Sequence, residues 1–195
     1  MMLIRIRMLF PVLCALVVAM ALAGPARGDP LEVRQFSLEL SPEAYLANVE
    51  FNLELTPRLE EALNSGVALI FVVEFELTRP RWYWFDEKTT ANRLEARLSY
   101  NPLLRQYRVS NGPLQRNYSS LADAIIALEQ VRGWPVIERD RLQPDNYVAS
   151  IRMRLDTAQL PKPFLITVIT DRDWSVASAW KRMPFRPGEP ERTAR

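Results

Sequence analysis

Histidine is absent from this 195-residue chain, and cysteine occurs once, at Cys14. Without histidine the chain lacks the commonest general base and transition-metal ligand. Cys14 lies in a segment expected to be removed, so the mature chain would hold no thiolate nucleophile and no disulfide. Its stability must then come from an apolar core, which about 170 residues can supply. Lysine is scarce as well, at Lys88, Lys162 and Lys181 only. A Ser–Lys dyad would have to draw on one of these, all in turns or at exposed positions. An excess of one charge sign is also missing, with 25 basic and 23 acidic side chains. Taking away Arg5 and Arg7 with residues 1–23 leaves 23 of each. That balance argues against nucleic acid or a strongly anionic surface as a partner. Most of the basic residues are arginine, which pairs bidentately with carboxylates and can lace exposed sheet faces. Genome base composition accounts for the bias equally well.

The one long apolar run is Met8 to Ala23. Arg5 and Arg7 precede it, and it ends in Ala21-Leu22-Ala23 ahead of Gly24. This is the charge, apolar stretch and small-residue cleavage site of a secretory signal peptide, expected over residues 1–23. About sixteen apolar residues containing Pro11 fall short of the roughly 20 that span a bilayer. The alternative is an uncleaved segment that tethers the protein to the membrane.

The mature chain is organised around Gly66 to Phe85. Leu69, Phe71, Val73, Phe75 and Leu77 alternate on one face, with Ile70 and Val72 on the other, which marks a central strand over 67–78 covered on both sides. Glu74 and Glu76 are expected to return its far end to solvent. Residues 31–40 form a first strand, in which a phase change near Arg34 predicts a bulge. Phe36, Leu38 and Leu40 point inward. Residues 45–55 alternate cleanly, with Ala47, Val49, Phe51, Leu53 and Leu55 on the buried side. Thr56-Pro57 opens a short helix that Gly66 closes. Strands follow over 82–85, 92–100, 104–110 and 114–118, with Asn111-Gly112-Pro113 as a hairpin turn. Ser120 caps a second helix whose stripe of Leu121, Ala124, Ile125, Leu128 and Val131 runs to Gly133. Residues 134–146 read as a loop, and 147–155 and 164–170 as strands. A last strand starts at Trp174, with Val176, Ser178 and Trp180 on one face. From Pro184 the composition predicts a disordered tail over 184–195. The whole is a mainly β, single-domain chain over residues 30–183. The expected fold is an antiparallel β-sandwich of eight or nine strands with two short helices, and a curved sheet on the second helix is the alternative.

No set of residues forms a catalytic constellation, and neither a metal nor a cofactor is expected. Paired carboxylates of the glycosidase kind are the one enzymatic option left open, although most acidic residues alternate outward on strands. Asp171-x-Asp173 in a turn is a weak calcium pattern that backbone hydrogen bonding explains. The aromatic run Trp82-Tyr83-Trp84-Phe85 stands out. On a strand it sends one pair of rings to each face, and an exposed pair would bind a peptide, glycan or lipid headgroup. Trp174 and Trp180 complete this candidate binding surface, and plain core packing is the competing explanation.

The signal segment, the helix closing into Gly66-Val67-Ala68-Leu69, the Arg-Trp-Tyr-Trp-Phe run and the late Asp-Arg-Asp-Trp-Ser segment with Trp180 together resemble an exported bacterial family. That family is known only as domain of unknown function 4390. The resemblance covers roughly residues 30–185 and carries no catalytic residues with it. It implies a periplasmic accessory role, toward a membrane sensor or other envelope protein.

Overall fold

A computed structural model describes residues 30–81, 87–112, 114–161, 172–188 and 192–194. The expected leader, the run Trp82–Phe85, the strand over 164–170 and Asp171 lie outside the described residues.

Among the described residues, two antiparallel sheets face one another as a sandwich. The smaller has four strands in the order β10-β1-β2-β7, and the larger has six in the order β6-β5-β4-β3-β8-β9. The strands are β1 (Leu31–Leu40), β2 (Ala44–Leu53), β3 (Leu69–Arg79), β4 (Glu87–Asn101), β5 (Gln106–Asn111), β6 (Leu114–Tyr118), β7 (Gln130–Glu138), β8 (Tyr147–Leu155), β9 (Lys181–Phe185) and the three-residue β10 (Arg192–Ala194). Two helices accompany them, α1 (Pro57–Asn64) and α2 (Leu121–Glu129). Phe75 of β3 marks the middle of the core. Its ring meets Phe36 of β1 and Trp134 of β7 edge-on, at centroid distances of 6.4 and 6.5 Å.

The bulge in β1 falls between Val33 and Gln35, where the pairing with β2 shifts. The extra residue lets Leu31 and Val33 share the core face with Phe36 and Leu38. Leu40, expected inward, runs past the core and is 46 % exposed. α1 begins as its sequence dictates, with the Thr56 hydroxyl accepting from the Leu59 N–H and Pro57 in the first turn. It ends in a Schellman arrangement: Val67 N–H donates to the Ala62 carbonyl and Gly66 N–H to that of Leu63, with Gly66 at φ +88°.

Three expected segments differ. The second helix stops at Glu129, not Gly133, and residues expected to be loop form β7 up to Glu138. Val131 fits a helical stripe and a strand face equally well, and it pairs with Val49 of β2. Gly133, at φ +63°, sits in an irregular stretch of that strand, where its N–H donates to the Asn48 side chain. The strand expected from Trp174 starts at Lys181; residues 172–174 form a 3-10 turn, and only Ala177 bridges to β8. Residues 184–195, expected to lack structure, supply the end of β9, including buried Phe185, and the strand β10 beside β1.

Candidate functional site

Side chains alternate along each strand, so the register fixes what the outer face of the six-stranded sheet presents. On β3 it shows Val72, Glu74 and Glu76; beside them stand Arg93, Glu95 and Arg97 of β4 and Ser150, Arg152 and Arg154 of β8. Farther out come Arg108 of β5 and Arg182 of β9.

Glu74 was expected to face solvent and does not: its side chain is 8 % exposed. Arg152, directly opposite on β8, donates from Nε and Nη2 at 2.6 Å each to Oε2. Arg154 approaches Oε1 at 3.3 Å, and Arg93 of β4 reaches the same oxygen at 3.5 Å. Arg154 also contacts Asp156 at 3.5 Å. Burial by itself would push the pKa of Glu74 up, but hydrogen bonds and charge from Arg152 and Arg154 outweigh it and hold the carboxyl below its usual range. Glu74 is therefore a fixed anion, the opposite of what a general acid requires.

Trp180 lies over this cluster, with the Arg152 guanidinium carbon 4.5 Å from its ring centroid. Its position follows from an irregularity in the chain. Ala177 is opposite Arg154 and Lys181 is opposite Ile151, so β8 takes three steps where the partner segment takes four. The extra residue moves Trp180 off the face it would share with Val176 and Ser178, both buried in the core. Trp174 goes the other way. It is 3 % exposed and belongs to the core, in the turn whose Asp173 carbonyl accepts from the Thr56 hydroxyl at 2.9 Å. The two tryptophans do not form one patch.

Counted across this outer face, Lys88 and the six arginines 93, 97, 108, 152, 154 and 182 meet the carboxylates Glu74, Glu76, Glu95 and Asp156. Lys88 is held by Glu76 at 2.6 Å. Arg97, Arg108 and Arg182 are exposed and have no carboxylate partner among the described residues. Since the whole chain carries only +2, positive charge is concentrated here. Whole-chain totals hide such a segregation, but strand alternation in the sequence holds the information once the sheet order is known.

A second ionic cluster closes the ends of β3 and β4, on either side of the aromatic run in sequence. Glu87 accepts from both Arg79 and Arg81, and Arg79 also reaches Asp145 at 3.5 Å. These hydrogen bonds hold the Glu87 carboxyl below its usual range. No group of three or more candidate metal ligands occurs among the described residues.

A family model described as a domain of unknown function, DUF4390, matches residues 28–184, most of the chain. No curated protein and no solved structure matches it.

Proposed function

Because the chain belongs to this DUF4390 family, whose description assigns no activity, we propose from its own residues that it is a non-enzymatic, exported accessory domain. It docks an envelope protein, with a membrane sensor as the first partner to test, through the outer face of the six-stranded sheet. The concentration of exposed arginine on that face in a nearly neutral chain carries the reading. Arg97 and Arg182 offer planar donors to carboxylates, Arg108 already donates to Asn117 at 3.2 Å, and the laced Glu74 cluster keeps the platform rigid. The partner surface is accordingly acidic. A glycan hydrolase would need one carboxyl held protonated, and Glu74, the most buried of the described carboxylates, is driven the other way. None of the described helices is long and apolar enough to cross a membrane.

The test is site-specific photo-cross-linking in intact cells. A reactive residue at Ser110, on the outer face, is expected to give a discrete adduct with one envelope protein. One at Leu103, exposed in the β4–β5 turn, is expected to give none. Arg97→Glu with Arg182→Glu should abolish the adduct while leaving the melting curve intact. Equal labelling from both positions, or an adduct indifferent to charge reversal, refutes the reading.

A further inference from the structure

β4 runs from Glu87 to Asn101, but β5 pairs only with its second half, from Ala96 onward. Along the first half one edge is bonded to β3, and no strand lies on the other among the described residues. The phase of this open edge is fixed by Gly112, whose N–H donates to the Glu95 carbonyl at 3.4 Å. A strand residue turns its N–H and C=O to the same side, and neighbours alternate. Arg93 and Ala91 therefore direct both backbone groups away from β3, past the point where β5 has ended.

The facing wall is β7, bonded among the described residues to β2 on one edge only. Between the walls lies a half-open cleft of about 510 Å³ lined by Thr89, Ala91, Asn92, Pro135, Val136 and Glu138. The Asn92 side chain crosses it on the inward side and donates to the Val136 carbonyl at 2.5 Å. Leu94 and Trp134, both only partly buried, lie on that same side against the core. Pro135 withholds a donor from the β7 wall, so the regular, unpaired ladder is that of β4.

We propose that the β4 edge from Thr89 to Glu95 is a strand-addition site for an extended segment of a partner protein. The segment enters antiparallel, in line with β5, and sends alternate apolar side chains toward Leu94 and Trp134. The chemistry selects this occupant. Only an extended backbone offers donors and acceptors at the two-residue repeat that Ala91 and Arg93 present. Glu138 and Arg141 balance each other at the rim, which favours an uncharged segment. This site is distinct from the arginine face and stands or falls separately.

The probe is a capped hexapeptide of alternating threonine and valine, added to the isotopically labelled full chain. In the free protein, amide exchange at Ala91 and Arg93 is expected to be at least about tenfold faster than at Asn92 and Leu94, whose amides face β3. The peptide should bind saturably and slow exchange at Ala91 and Arg93, whereas a twin methylated on alternate backbone nitrogens should not. Ala91→Pro removes a donor the β3 ladder does not use. It is expected to weaken binding at least about tenfold, with Asn92 and Leu94 still protected as proof of folding. Equal protection at all four amides in the free protein, equal binding of the methylated twin, or no saturable binding overturns the proposal. Arg97→Glu with Arg182→Glu should leave the peptide titration unchanged while abolishing the envelope adduct, which separates the two sites.

Discussion

Glu74 and Arg152 face each other across the central strands β3 and β8, joined by two contacts of 2.6 Å on the outer side of the sheet. The pair turns a strand that reads as apolar on both faces into one whose second face is closed by ions.

Removing the charge there should be costly, because three arginines lose their shared acceptor. Glu74→Gln is expected to lower stability by about 1–3 kcal/mol near neutral pH. Urea unfolding of both proteins, read as the shift in midpoint at constant slope, measures it.

The same pair predicts a pH dependence with a definite sign. The folded-state pKa of Glu74 is below the unfolded value, so its contribution is complete above the ordinary glutamate range, near 4.3. It declines as pH falls from there through the lower, folded value. The stability gap between wild type and Glu74→Gln should therefore narrow as acid is added, and a constant gap from neutral to strongly acidic pH would contradict the assignment.

Trp180→Ala removes a ring lying over a guanidinium that is already partly desolvated. The expected loss is about 1 kcal/mol, and Trp180→Phe should recover part of it. Thermal melts of the three proteins check the order.

Thr56 acts twice, capping α1 and donating to the Asp173 carbonyl. Thr56→Ala should cost about 1–2 kcal/mol, whereas Thr56→Ser, which keeps the hydroxyl, should cost less. Calorimetry on both variants distinguishes a lost hydroxyl from a lost methyl.

Gly66 stands at φ +88°, and a Cβ added there would meet nothing within 4 Å. Gly66→Ala should thus destabilise by about 1 kcal/mol through backbone conformation alone. A much larger loss in chemical denaturation would mean an unseen contact.

Most of the fold is legible in the sequence wherever two signals coincide. Thr56-Pro57 and Gly66 bracket α1, and alternation marks β2, β3 and β8. Reading fails where one signal serves two structures. Val131 and Gly133 fit a helix end as well as an irregular strand, and Pro184 sits in a strand although the composition around it is that of a tail. The candidate face was harder to see. Strand alternation assigns Arg93, Arg97, Arg152 and Arg154 outward, but β4 and β8 are separated by some fifty residues, and only the sheet order brings them to Glu74. Trp180 depends on one inserted residue, which no periodicity announces.

The two sheets are also assembled from very different stretches of chain. β3 to β6 form an unbroken run of neighbours along the sequence, whereas the four-stranded sheet joins residues 31–53, 130–138 and 192–194. The first can pair as soon as it exists, while the second is complete only once residues 192–194 reach β1. Contacts so distant in sequence are slow to form. A chain cut before Arg192 should thus keep the local meander and leave the outer edge of β1 bare, and with it a template on which a second molecule can pair.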